Sequence, residues 1–96
     1  MLKTPLCDIF GLDVPIILAP MGTCTSAELA AAVSNEGGLG GIGTLFRSVA
    51  AIKRDIDTVK TLTSRPFAIN HIPQAPRCRS VSLYAARKAS CCLFRA

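Results

Sequence analysis

Ninety-six residues with a mean hydropathy of +0.42 allow one small domain, and a chain this short buries only about 60–65% of the surface it exposes when unfolded. Half of the residues are apolar and 18% are charged, which excludes disorder throughout. The longest uncharged stretch, Val14 to Ala27, has 14 residues interrupted by Pro15 and Pro20, too short and too broken to form a membrane-spanning helix. Lys3 is followed by Asp8 before any long apolar run, which is not the layout of a secretory signal, so an intracellular, cytoplasmic location is expected. Charge divides the chain in two: six acids balance six bases up to Asn70, whereas His71 onward carries five bases and no acid. The net charge of +5 therefore belongs to the last 26 residues. The five cysteines form no C-x-x-C pair, which argues against a disulfide framework and against a zinc site.

Pro15-Ile-Ile-Leu-Ala-Pro20 is a short β-branched run bounded by prolines, the pattern of a strand covered on both faces. Thr25-Ser26-Ala27-Glu28 reads as a Thr-x-x-Glu capping box opening a helix, with Leu29, Ala30, Ala32 and Val33 at helical spacing and Gly37-Gly38 as its stop. Leu39 to Thr44 is a second, glycine-rich strand whose glycines can admit a ligand or another backbone at close range. Ser48 caps a second helix in which Val49, Ile52, Ile56 and Val59 form the apolar face and Lys53 and Asp57 stand as an i,i+4 pair. Arg65-Pro66 ends that helix, and Phe67-Ala68-Ile69-Asn70 is a third strand. Strands joined through helices pair in parallel with right-handed crossovers, which makes the fold class α/β. A helix and strand recurring about every 25 residues suits both a doubly wound sheet and a (β/α)8 barrel.

Two motifs bear on chemistry. Gly38-Leu-Gly-Gly-Ile-Gly43 matches G-x-G-x-x-G, with Asp57 further on, but it follows a helix and forms a strand. A dinucleotide fingerprint must follow a strand and open a helix, so that the pyrophosphate meets the helix N-terminus. Ala19-Pro20-Met21-Gly22 stands at the carboxyl end of the first expected strand, where α/β barrels place their sites. Pro20 lacks an N–H and ends pairing, Met21 offers a polarizable side chain beside a backbone amide, and Gly22 permits close approach. A flat cofactor suits these residues; a plain strand end turning into a helix is the simpler structural alternative.

The segment from Thr4 to Asn70 resembles the amino-terminal part of the nitronate monooxygenases, formerly called 2-nitropropane dioxygenases, which are FMN-containing TIM-barrel enzymes. The resemblance is carried by Thr4-Pro-Leu-Cys-Asp8, Pro15-Ile-Ile-Leu-Ala-Pro-Met21, Ala30-Ala-Ala-Val-Ser-Asn-Glu-Gly-Gly-Leu-Gly40 and Arg65-Pro-Phe-Ala-Ile-Asn70. It implies a partial TIM (β/α)8 barrel in which Ala19, Pro20 and Met21 line the FMN ring, mostly through backbone, and Asn70 hydrogen-bonds near it. It implies as substrates an anionic alkyl nitronate and O2, with a carbonyl compound and nitrite as products. FMN-dependent enoyl-acyl carrier protein reductases have a similar start and are the alternative. A TIM barrel needs about 250 residues and binds phosphate late in the chain, so this chain is expected to lack the phosphate site and to be inactive alone. The family's catalytic histidine belongs to a later segment; His71 reads as a loop residue, and no catalytic residue is assigned. Cys24 reads as a buried structural thiol rather than a redox centre.

Residues 1–72 are thus expected to form the barrel fragment and residues 73–96 a basic, Cys/Ser/Arg-rich tail that is poorly ordered. The resemblance fades from Pro73, and the abrupt change near Gln74 suggests a changed reading frame, a splice form or a faulty gene model. Arg77, Arg79, Arg87 and Lys88, with Tyr84 and Phe94 for stacking, are the residues through which the tail would contact nucleic acid or an anionic membrane, the rival to a purely solvated tail. A barrel fragment is also expected to expose apolar surface that missing units would cover.

Overall fold

A computed structural model of the chain describes residues 2–71 and the two-residue strand Leu93–Phe94. The rest of the basic tail, including Arg77, Arg79, Arg87, Lys88 and the change near Gln74, lies outside the described residues. In chain order the elements are α1 (Pro5–Phe10), a 3-10 turn (Gly22–Cys24), α2 (Ala27–Asn35), β1 (Gly40–Gly43), α3 (Val49–Leu62), β2 (Phe67–Asn70) and β3 (Leu93–Phe94). β1 and β2 pair in parallel, Gly40 opposite Phe67 through Gly43 opposite Asn70, and β3 adds to the far side of β2 antiparallel. The expected α/β class with a parallel pair joined by a crossover helix is present, in a sheet ordered β1-β2-β3.

Helix α1 has no counterpart among the elements expected from the sequence. Pro5 occupies its first turn, where the missing N–H costs nothing, and Gly11 ends it in the left-handed conformation with φ 69°. Its single buried residue, Cys7, joins Leu12 and Leu39 in a small apolar cluster that also touches Phe10 and Ala68. At α2 the cap is Ser26 rather than Thr25: the Ser26 hydroxyl oxygen accepts from the Leu29 amide at 3.1 Å. Glu28 then lies in the first turn, and its carboxyl is held below the ordinary range, first by its own backbone N–H and then by the Ser26 hydroxyl. Ser48 caps α3 as expected, accepting from the Ala51 amide at 3.2 Å.

Both long helices lie on one face of the sheet. Ala27, Ala30 and Ala31 of α2, Ile52, Ile56 and Val59 of α3, and Ile42, Phe67 and Ile69 of the strands form one buried cluster. Burial of each large aliphatic or aromatic side chain there contributes about 1.5–3 kcal/mol. Small residues on α2 let it approach closely: a Cβ placed on Gly40 would lie 2.0 Å from the Ala30 carbonyl oxygen. Ser34 closes the same junction. Its buried hydroxyl donates to the Pro66 carbonyl at 3.0 Å and accepts from the Gly40 amide at 3.1 Å, which satisfies backbone groups at the entry to both parallel strands. Lys53 and Asp57 do not form an ion pair; the pairs among the described residues are Arg47–Asp55 and Arg65–Asp13.

The segment Pro15–Pro20 departs from the expected buried strand. It contributes one parallel bridge, Ile17 to Leu39, with Leu18 N donating to Leu39 O and Leu39 N donating to Ile16 O, both at 2.9 Å. Ile16 and Ile17 are 62% and 50% exposed, because no described segment lies along their other side. Exposed apolar surface is therefore present in this segment and also at Leu2, Ile9, Met21, Phe46 and Leu62, whereas the inner faces of α2 and α3 are covered within the fold. No helix among the described residues is long and apolar enough to cross a membrane.

Two consequences can be measured. Ser34→Ala leaves the Gly40 amide and the Pro66 carbonyl unpaired inside the fold, and chemical denaturation should register a loss of about 1–3 kcal/mol. The lowered carboxyl of Glu28 contributes stability above its unfolded-state value, and that contribution disappears as pH falls through the folded one. Glu28→Gln should accordingly lower stability slightly in the neutral region, match the parent at pH below the folded value, and shallow the acid side of the stability-against-pH curve between the two.

Candidate functional site

Three chain segments meet at the carboxyl end of the parallel pair. In the first, the chain leaves its bridge with Leu39 and passes over the glycine face of β1. A Cβ on Gly41 would sit 2.5 Å from the Leu18 carbonyl oxygen and 3.8 Å from the Pro20 ring, and one on Gly43 would sit 3.0 Å from the Gly22 amide nitrogen. Of the two uses open to these glycines, close approach of another backbone is the one realised. Gly43 in turn stands opposite Asn70 in the β1–β2 register. Gly22, Gly43 and Asn70 are thereby set side by side, and the stretches carrying Met21 and Asn70 share one edge of the sheet.

Each edge residue has a distinct hydrogen-bonding state. The Met21 amide donates to the Thr25 hydroxyl oxygen at 2.7 Å, and the Met21 carbonyl accepts from the Cys24 amide at 2.9 Å. That amide is consequently engaged within the chain, and what Met21 offers outward is its half-exposed thioether side chain. Ala19 is exposed and Pro20 half-buried. The Asn70 carbonyl accepts from both the amide and the hydroxyl of Thr44, each at 3.1 Å, while its exposed carboxamide makes no hydrogen bond among the described residues. Thr44 Oγ1 also lies 2.9 Å from Nδ1 of His71, whose Nε2 is buried without a partner among the described residues. His71 is the loop residue that follows β2, as expected, and this contact fastens it to the edge.

Cys24 corrects the sequence reading: it is exposed, carried outward by the 3-10 turn, and Cys7 is the buried thiol. Thr25, read as a helix cap, is instead fully buried beneath that turn. Sequence reasoning also missed Arg47. Its guanidinium pairs with Asp55 of α3 and donates to the Thr25 carbonyl at 3.1 Å and the Gly22 carbonyl at 3.5 Å. An isolated arginine after a strand carries no sequence signal for such a role, and Asp55 reads as part of a solvated helix face. The cleft of about 570 Å³ beside this pair is lined by residues including Ser26, Glu28, Arg47, Arg54 and Asp55 and contains none of the expected cofactor residues.

The nitronate monooxygenase family model matches residues 3–90, most of the chain and past Pro73. The chain belongs to the nitronate monooxygenase family. It is 45% identical over 60 residues to a probable nitronate monooxygenase of Staphylococcus haemolyticus, an alignment covering 62% of this chain and 17% of that protein. It is 41% identical over 68 residues to the nitronate monooxygenase of Paraburkholderia phytofirmans, covering 71% of this chain and 19% of that one. Among solved structures it resembles FabK from Thermotoga maritima, with a TM-score of 0.75 and 32% identity over 79% of this chain and 24% of that one. It also resembles the nitroalkane oxidase of Streptomyces ansochromogenes, with a TM-score of 0.66 and 35% identity over 88% of this chain and 24% of that one. The chain thus spans under one fifth of the length of the two nitronate monooxygenases it matches.

Within this family member one backbone feature at the edge is strained. Phe46, in the turn closed by the Arg47 amide donating to the Thr44 carbonyl at 3.2 Å, has φ 59° although it is not glycine, and its ring is 87% exposed. Relief of the left-handed penalty, about 1–2 kcal/mol, outweighs the extra unfolded-state freedom that glycine brings, up to about 1 kcal/mol. Phe46→Gly should therefore raise stability by about 0.5–1 kcal/mol in thermal denaturation.

Proposed function

We propose that residues 2–71 form the opening units of an FMN-binding (β/α)8 barrel whose reaction is the oxidation of an alkyl nitronate by O2. The observation that carries this reading is the meeting of the Met21–Gly22, Gly43–Thr44 and Asn70–His71 stretches at the carboxyl edge of the parallel pair, where barrel enzymes build their sites. Family membership supports the choice of reaction.

The residues fit such a cofactor in part. The free carboxamide of Asn70 can donate or accept at the rim of the ring, and the exposed side chain of Met21 supplies a polarizable surface beside Ala19 and Pro20. The Met21 amide does not fit as a donor, being held by Thr25. The chemistry supplied by bound FMN is acceptance of electrons from the nitronate, with O2 consumed and a carbonyl compound and nitrite formed. This chain's own contribution is to orient the cofactor: Thr44 fixes the Asn70 backbone through two hydrogen bonds, and the glycine face of β1 holds the Met21 stretch in place. β1, β2 and the bridged segment supply one wall of a closed ring, so turnover by this chain alone is not expected.

Binding is tested before catalysis. Titration of the purified chain with FMN, followed by flavin fluorescence, should show saturable binding that Asn70→Ala weakens about tenfold, the equivalent of one hydrogen bond of about 1.4 kcal/mol. Equal affinity in the variant would remove Asn70 from the site, and absence of binding in the parent chain would remove the flavin reading. Nitrite release from propionate 3-nitronate, measured in parallel, tests the expectation that the chain alone does not turn over.

A further inference from the structure

We infer that Arg47 is a positioning residue for the Met21 edge, acting through the turn that follows it. Its consequence for cofactor binding rests on the flavin reading above; its consequence for the backbone does not. The guanidinium is a planar fork, and here its two ends have separate tasks. Nη1 pairs with Asp55 of α3, which fixes the plane, and Nη2 points at the carbonyls of Gly22 and Thr25, at the two ends of the 3-10 turn. Arg47 and Asp55 side chains are only 16% and 18% exposed, so water competes little for these contacts. The held residue Thr25 is fully buried, and its hydroxyl accepts the Met21 amide at 2.7 Å. A continuous chain of contacts therefore runs from Asp55 through Arg47 and Thr25 to Met21.

The strained turn gives independent support. The Thr44–Arg47 turn accepts a left-handed Phe46 although the ring gains no burial from it. The ring does not explain the conformation, whereas the residue that follows, Arg47, is delivered into the gap between α3 and the turn. Strain of this kind persists where neighbouring contacts over-determine the backbone, and Arg47 makes three of them.

Site-resolved amide hydrogen exchange on the whole chain tests the inference. Arg47→Met keeps an unbranched aliphatic stem and removes the fork; the Met21 amide should lose at least tenfold in protection while the amides of Ala31 and Val59 keep theirs. Arg47→Lys should behave like Arg47→Met, because one ammonium cannot serve Asp55 and both carbonyls together. Thr25→Ser, which retains the hydroxyl, should keep Met21 protected, and Thr25→Val should not. Asp55→Asn, which leaves an acceptor without its charge, should give a smaller loss confined to the same amide. An unchanged Met21 amide in Arg47→Met, or an equal loss at Ala31 and Val59, overturns the assignment. FMN titration of the same proteins should show affinity falling about tenfold in Arg47→Met with a displaced visible band. If the parent chain binds no FMN, the flavin reading fails while the exchange comparison still decides the role of Arg47.

Discussion

The arrangement depends on backbone meeting backbone on both faces of β1. On one side the carbonyl of Ala30 lies where a side chain at Gly40 would begin, and on the other the carbonyl of Leu18 and the amide of Gly22 crowd Gly41 and Gly43. A strand without side chains at those positions is a thin spacer, and its thinness brings α2 and the Met21 stretch within reach of one sheet. Polar groups left at such close contacts have to find partners. Ser34 serves the strand entries and Thr44 the exits, each through one short hydroxyl that reaches two neighbours.

Much of this fold is legible in the sequence where local chemistry decides it. The apolar spacing of Ile52, Ile56 and Val59 behind a serine cap gives α3, and Phe67 to Asn70 form the third run at its expected limits. The failures occur where a distant partner decides. Pro15–Pro20 has a strand's composition, but among the described residues it pairs through the single bridge to Leu39, which does not extend into a ladder. Thr25 and Ser26 both precede the helix with suitable side chains; Ser26 caps it because Thr25 is committed to Met21 and is buried beneath the turn.

The candidate site divides in the same way. Ala-Pro-Met and the closing asparagine are visible as motifs, and the register of the parallel pair sets their segments one strand apart. What the motif hides is that the Met21 amide is already bonded, which shifts the expected contact from backbone to side chain. Arg47 and Asp55 are invisible for a different reason. Eight positions separate them across a turn that contains the left-handed Phe46 and the start of a helix, and no local pattern marks them as partners.

Thr44 carries one hydroxyl hydrogen, and that hydrogen is given to the Asn70 carbonyl. With its hydrogen on that carbonyl, the same oxygen is an acceptor toward the imidazole of His71, an arrangement that matches the tautomer with an N–H at Nδ1. A threonine just past the neighbouring strand thereby favours one tautomer, in which the lone pair lies on the enclosed Nε2. A valine at position 44 would remove that constraint and leave the imidazole free to exchange tautomers.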